Sequence, residues 1–315
     1  MIILQLAGGL GNQMFQYALY LKLKSLGREV RIDDVSGFLE DRQRDPALAP
    51  FGIDYERASR EDLRRLLDDS MLPWDRVRRK LFGRKKKSYF EEGKLFVPQV
   101  LTWDEIYLEG YWQSEKYFQA VEAQVREAYD TDRLIAYLKR EDFWDGGNVA
   151  GQDSVGSVRQ YLEEIESTCS VSVHVRRGDY LMPENQALFG GICTDAYYIE
   201  GIRQMRERYP QCRFYLFCND REWERQEQWE EEGLTRIRLP EKTESAGKNR
   251  VTDCAEFLLM SRCKHHILAN SSFSWWASYL NSNPDKTVLV PDRWLNGTDC
   301  RDFYREDMKK ITNVI

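Results

Sequence analysis

The sequence predicts an α/β protein of two parallel-sheet domains, and three observations carry that reading. Short runs rich in β-branched residues alternate with helix-period stretches in both halves of the chain. The runs at 2–6 and 170–175 lead straight into glycines or charged side chains, the pattern of a buried strand that delivers polar groups at its carboxyl end. Between the halves, residues 145–156 hold the richest glycine stretch, which is the expected connection. The expected domains are therefore 1–150 and 151–315, with 301–315 expected to pack back on the first domain as a helix.

With 315 residues, 42% hydrophobic and 13% aromatic, the chain can bury a substantial core. A net charge of -6 disfavours nucleic acid as a general partner, because phosphate binding on that scale needs a basic surface. The seven cysteines are odd in number and form no Cys-x-x-Cys pair, which fits reduced thiols filling the core rather than a disulfide framework or a zinc site. Met1-Ile2-Ile3-Leu4 has no basic n-region and no apolar run approaches a membrane span, so the expected location is the cytoplasm.

In the first half, 2–6 reads as a strand, Gly8 and Gly9 as a tight turn, 12–26 as a helix closed by Gly27, and 29–33 as a second strand. This unit invites a dinucleotide reading, with Gly9-Leu10-Gly11 as the phosphate turn and Asp33 or Asp34 as the ribose acid. Met14 weakens it by standing where the fingerprint needs its third glycine. Residues 34–96 are polar and irregular, with a helix expected over 60–69 and a break at Pro73 and Trp74. Residues 76–87 carry eight positive charges around Val77, Leu81 and Phe82. The leading reading is a solvated face or mobile loop; the alternative is peripheral contact with the inner face of an anionic membrane, each basic residue adding about 1 kcal/mol. A strand is expected at 106–109, core-packing aromatics at 110–118 and helix over 115–129. Asp130-Thr131-Asp132 has the spacing of a metal-binding pair, but it opens the helical 133–140 and reads better as a cap, so no metal ligands are expected.

The second half turns on Ser170 to Tyr180, where Val171, Val173 and Val175 alternate with Ser172 and His174 and lead into Arg176, Arg177, Gly178 and Asp179. Paired guanidinium forks at a strand end suit phosphate oxygens; the rival reading is a structural ion pair with Asp179. A helix is expected over 194–209, then a strand at 213–218 ending in Asn219 and Asp220. A charged surface helix over 223–232 and a loop at 241–250 able to order around a ligand follow. Next come a helix over 253–263, a strand at 267–269 and a helix over 272–280. Ser271, Ser272 and Ser274 lie at that last junction, where free backbone N–H groups make an anion site without metal.

Four stretches together resemble a known family. They are Gly8-Gly9-Leu10-Gly11-Asn12-Gln13-Met14-Phe15-Gln16-Tyr17, Gly110-Tyr111-Trp112-Gln113-Ser114-Glu115-Lys116-Tyr117-Phe118, His174-Val175-Arg176-Arg177-Gly178-Asp179-Tyr180 and Asn270-Ser271-Ser272-Phe273-Ser274-Trp275-Trp276. In this order they resemble the α-1,2-fucosyltransferases, glycosyltransferase family 11. The resemblance implies a GT-B-like architecture, two Rossmann-like domains facing a central cleft, with GDP-fucose held by the carboxyl-terminal half. It implies inverting, metal- and cofactor-independent transfer of fucose to the 2-hydroxyl of a galactose-terminated oligosaccharide, lipid-linked in one reading, for surface glycans of the O-antigen type.

Departure of GDP builds negative charge on the β-phosphate, and Arg176 is the expected group to stabilise it, assisted by Arg177 and the helix end at Ser271 and Ser272. By residue type His174 and Asp179 are candidates for a base, although Asp179 is equally suited to orienting an arginine and His174 to touching the nucleotide. The resemblance brings Asn12 near the reacting sugar, Asp253 to the guanine edge, and Asn219, Asp220, Asn270, Phe273 and Ser274 to the donor. Capping of their own helices is the rival reading for Asn12 and Asp253. Two other functional classes stand beside this one. A dinucleotide-dependent oxidoreductase would rest on Gly9-Leu10-Gly11 and Asp33, and a noncatalytic carbohydrate-binding protein on the aromatic content; neither explains the paired arginines.

Overall fold

The structure is a computed structural model that describes residues 1–41, 44–67, 73–82, 87–91, 93–146, 156–240 and 250–312. It divides into two compact units, Met1–Ala128 and Tyr129–Ile315. The interdomain connection expected at 145–156 lies almost wholly outside the described residues, as does the 241–250 loop. The division falls instead between Ala128 and Tyr129. The reason is packing: Tyr129 sets its ring edge-on against Trp276, and Arg262 bonds Thr131 and Asp132, so the helix after them belongs to the second unit.

The first unit carries strands β1 (Ile2–Ala7), β2 (Val30–Gly37), β3 (Ser88–Phe90) and β4 (Ile106–Glu109) and helices α1 (Leu10–Ser25), α2 (Arg60–Leu67), α3 (Pro73–Phe82) and α4 (Glu122–Ala128). Its four strands are parallel, in the order β2-β1-β4-β3. Ile2, Ile3 and Leu4 of the central strand and Met14, Phe15, Ala18 and Leu19 of α1 are fully buried, so most of the helix circumference is core and its apolar pattern shows little amphipathic contrast. The aromatics of 110–118 are core as expected: Trp112, Tyr117 and Phe118 are buried, the first two ring edge to ring face at 5.7 Å.

The second unit carries β5 (Ser170–Val175), β6 (Arg213–Cys218), β7 (Leu234–Arg236), β8 (His265–Ile267), β9 (Val288–Pro291) and β10 (Met308–Ile311). Its helices are α5 (Asp132–Arg140), α6 (Val158–Ser167), α7 (Pro183–Phe189), α8 (Asp195–Arg208), α9 (Arg221–Glu224), α10 (Glu227–Glu231), α11 (Arg250–Arg262) and α12 (Ser272–Leu280). The six strands are parallel in the order β10-β9-β8-β5-β6-β7, and every residue of β5 is buried. At the sheet's centre, Ser172 Oγ and His266 Nδ1 are 2.8 Å apart, and Asn281 Nδ2 donates to His266 Nε2 at 2.7 Å. Burial holds that imidazole neutral, so these groups satisfy one another inside the core.

Some expectations are corrected. The helix expected over 301–315 is not formed over the described residues 301–312; after a short turn, β10 adds a parallel strand beside β9, burying Met308 and Ile311 while Lys309 and Lys310 stay exposed. The surface helix expected over 223–232 is two short helices, because Trp223 and Trp229 turn inward with rings 4.2 Å apart. The break at Pro73 is a helix start, proline being tolerated in a first turn. Among the described residues no helix is long and apolar enough to cross a membrane.

Two glutamines of α1 fix the loops around it. Gln16, 1% exposed, accepts from Ala7 N at 3.1 Å and donates to Gly110 O at 2.8 Å, tying the end of β1 to the loop after β4. Gln13 donates to Gly8 O and Asp45 O and accepts from Ala47 N. Gln16→Leu deprives the part-buried Ala7 N–H and Gly110 C=O of this partner, and the expected loss is about 1–3 kcal/mol by urea unfolding at unchanged slope; an unchanged midpoint would show that the strut is dispensable.

Candidate functional site

Parallel strands place all their carboxyl ends on one edge, and in the second unit β5, with its neighbours β6 and β8, gathers most of the sequence-selected residues there. Arg176 leaves β5 and meets Asp179 three residues later in a two-pronged pair, Nε to Oδ1 at 2.8 Å and Nη2 to Oδ2 at 2.9 Å. Both groups are partly buried, at 33% and 27% side-chain exposure, which strengthens the pair beyond a surface bridge. The pair engages one edge of the guanidinium, so its Nη1 edge points away from Asp179.

Arg177 is held from β6. Its backbone N donates to Asn219 Oδ1 at 2.8 Å, its Nε donates to Asp220 Oδ2 at 3.1 Å, and its guanidinium lies 5.8 Å from the Trp223 ring centre. Asp220 also caps α9 by accepting from Glu222 N and Trp223 N. A side chain on Gly178 would come within 2.7 Å of Asn219 Nδ2, so any other residue there would have to displace the amide that holds Arg177. Arg176 makes the ion pair with Asp179 that the rival reading expected, whereas Arg177 pairs with Asp220, and these pairs fix both arginines at the strand edge.

From β8 the chain enters α12 through the serine motif. Ser271 caps the helix by accepting from Phe273 N, and Ser274 donates back to Ser271 O. Asn270 faces the core, donating to Trp294 O and accepting from Cys193 Sγ, while its carbonyl accepts from Tyr180 OH at 3.0 Å. Phe273 sets its ring 5.9 Å from that of His174. His174 is 7% exposed and its Nδ1 has no hydrogen-bond partner among the described residues. Burial, aided by Arg176, pushes its pKa down to about 3, so near neutral pH it is an uncharged imidazole and a poor proton acceptor.

One group escaped the sequence reading. Glu256 follows Asp253 by three residues on α11 and is only partly exposed. Burial first, then the Asp253 charge, push its carboxyl up to about 8, with Arg176 opposing. Asp253 is pushed up to about 6 by the same burial, but its residue surface is exposed, so water screens it and Glu256 is the more strongly perturbed of the two. Nothing in the local pattern marks Glu256; its significance comes from Arg176 lying across the fold.

In the first unit Gly9 caps α1, so Asn12 sits in the first turn rather than at the cap. Asn12 Oδ1 accepts from Gln113 Nε2 at 2.7 Å, joining two of the family-like stretches. Gly8, at φ +74°, approaches so closely that an added Cβ would lie 2.7 Å from Asn12 Nδ2. The ribose-acid reading of Asp33 fails: that carboxylate is 3% exposed and accepts from Tyr107 OH at 2.7 Å and from Val35 N and Ser36 N. Asp34 accepts from Tyr55 OH and Arg57 Nε. Asp130 and Asp132 serve the entry to α5, where Asp130 accepts from Asp132 N and Asp132 pairs with Arg262.

The family model of glycosyl transferase family 11 matches residues 142–312, more than half of the chain and the greater part of the second unit. The chain is 27% identical over 308 residues to an alpha-1,2-colitosyltransferase of Escherichia coli, covering 96% of this chain and 95% of that protein. It is 29% identical over 307 residues to the O-antigen biosynthesis glycosyltransferase WbnK of Escherichia coli, with 93% and 95% covered. To the galactoside alpha-(1,2)-fucosyltransferase 1 of Saimiri boliviensis boliviensis it is 28% identical over 275 residues, 87% of this chain and 63% of that longer one.

The Glu256 carboxyl has a consequence for stability. Its folded pKa lies above the ordinary value of 4.5, so between that value and about 8 the folded state holds a proton that the unfolded state has lost, and stability falls as pH rises through that window. Glu256→Gln cannot ionise, and its melting temperature is expected to exceed the native one at the top of the window and to match it at the bottom. A melting-temperature difference independent of pH would contradict the raised pKa.

Proposed function

Because the chain belongs to glycosyl transferase family 11, and is thus an enzyme of glycosyl transfer, we propose that it moves L-fucose from GDP-β-L-fucose to the 2-hydroxyl of a terminal galactoside. The observation that carries this reading is the Arg176–Asp179 pair at the carboxyl end of β5, beside Arg177 and the amino end of α12. The acceptor hydroxyl attacks the anomeric carbon from the face opposite the diphosphate. The carbon–oxygen bond to the β-phosphate breaks, the product is the α-glycoside, and GDP leaves with one more negative charge than it had as an ester.

Arg176 supplies what that step needs. Asp179 fixes one edge of the guanidinium, and the Nη1 edge is left to face phosphate oxygens, so the donors stand ready before charge develops. Asp179 is on this reading an orienting carboxylate, and His174, held neutral, lines the site without taking the proton. The acceptor hydroxyl becomes acidic as it bonds to the oxocarbenium-like carbon, and its proton passes to solvent. The α12 amino end and the serines beside it assist the diphosphate. Asn219, Asp220 and Trp223 keep Arg177 in place, Phe273 lies against His174 at the donor, and Asp253 accepts from the N–H groups of guanine. Asn12, oriented by Gln113, approaches the reacting sugar. On this reading the amino-terminal unit binds the acceptor and the carboxyl-terminal unit the donor, and the enzyme serves O-antigen-like surface-glycan synthesis. A second reading, colitosyl transfer with the same linkage, is favoured by the colitosyltransferase that the chain matches along 96% of its length.

The test is a donor panel with a β-galactoside acceptor, the product linkage read by NMR. GDP-fucose should be consumed with release of GDP and an α-linkage at the 2-hydroxyl; preferential use of an activated colitose would favour the second reading, and turnover of UDP-sugars alone would sink both. With arginines and a helix end serving the diphosphate, turnover is also expected to survive EDTA, whereas loss restored by magnesium would overturn the metal-independent mechanism.

A further inference from the structure

The helix α3 (Pro73–Phe82) is a local exception on an acidic protein. Trp74, Leu81 and Phe82 are 81%, 68% and 80% exposed, and Val77 is exposed as well. Trp74, Val77 and Leu81 are separated by three and four residues, so they share one side of the helix, with Phe82 next to it. The same ten residues include Arg76, Arg78, Arg79 and Lys80 against one acid, Asp75; of these cations Lys80 is exposed and Arg78 is partly buried. A helix that presents bulky apolar groups to water and is dense in cations has an apolar face in need of cover and a charge that selects what covers it.

We infer that α3 docks the protein on an anionic phospholipid surface. Tryptophan favours the bilayer interface, where its ring is apolar and its N–H is wet. Leucine and phenylalanine enter the acyl boundary, and lysine and arginine reach the headgroups on flexible stems. A nucleic acid would meet the cations and leave Trp74, Leu81 and Phe82 bare. A second copy across a two-fold axis would bring one basic helix against another. The chain's net charge of -6 gives it no general attraction to an anionic surface, so contact has to be local to a segment such as this one. The inference is independent of which sugar is transferred.

The full chain is floated with vesicles of phosphatidylcholine, with and without phosphatidylglycerol, beside a Trp74→Ser/Leu81→Ser/Phe82→Ser variant and an Arg76→Glu/Lys80→Glu variant. The native protein should float only with the anionic vesicles and less so as salt rises, while each variant partitions at least about tenfold less. Both variants should keep the native melting temperature and turnover of a water-soluble galactoside, since Trp74, Lys80, Leu81 and Phe82 are exposed and the helix lies outside the site. Absence of flotation, equal flotation with neutral vesicles, or flotation undiminished in the serine variant would overturn the inference. So would a native dimer in sedimentation velocity that the serine variant abolishes, which would assign this face to a second copy.

Discussion

The site depends on holding a guanidinium at the end of an entirely buried strand. Arg176 follows the six buried residues of β5, and its charge is placed where water thins out but does not vanish. Left alone there, a cation would swing outward into solvent; Asp179 stops it by gripping one edge with both oxygens. Gly178 makes that grip feasible by allowing the turn to press against Asn219. The same Asn219 holds the backbone of Arg177, and Asp220 holds its side chain, so two arginines are positioned by two adjacent strand ends.

The first unit uses polar contacts differently. Gln13 and Gln16 are buried and bond backbone groups of the loops around α1, so two of the polar residues in the amino-terminal stretch build shape and leave ligand contact to others. Asn12 is the exception, partly exposed and oriented by Gln113 from a loop about a hundred residues away.

Much of this was legible in the sequence where local pattern and tertiary role coincide. The β-branched run of β5 and the serine cap of α12 declare both their conformation and their direction, and β6 runs over the residues expected. Met308-Lys309-Lys310-Ile311 fits a helix turn as well as a strand, and only its pairing with β9 decides between them. Asp33 lies on a strand in a unit resembling a nucleotide fold, yet Tyr107, distant in sequence, takes up its carboxylate. Glu256 was invisible because the burial that chiefly raises its pKa is a property of the fold. The partnering of Arg176 was anticipated as the alternative to ligand binding; the geometry makes the two compatible, because one edge is held and another remains.

The most direct measurement compares Arg176→Lys with the native enzyme in melting temperature, GDP affinity and turnover number together. Lysine keeps the charge but cannot grip Asp179 and present a second edge at once. If Arg176 stabilises charge growing on the departing diphosphate, turnover falls by about two orders of magnitude or more, roughly 3 kcal/mol of barrier, while GDP affinity falls by less. Near-native turnover per folded molecule beside a large drop in melting temperature would contradict the account, leaving Arg176 a structural partner of Asp179.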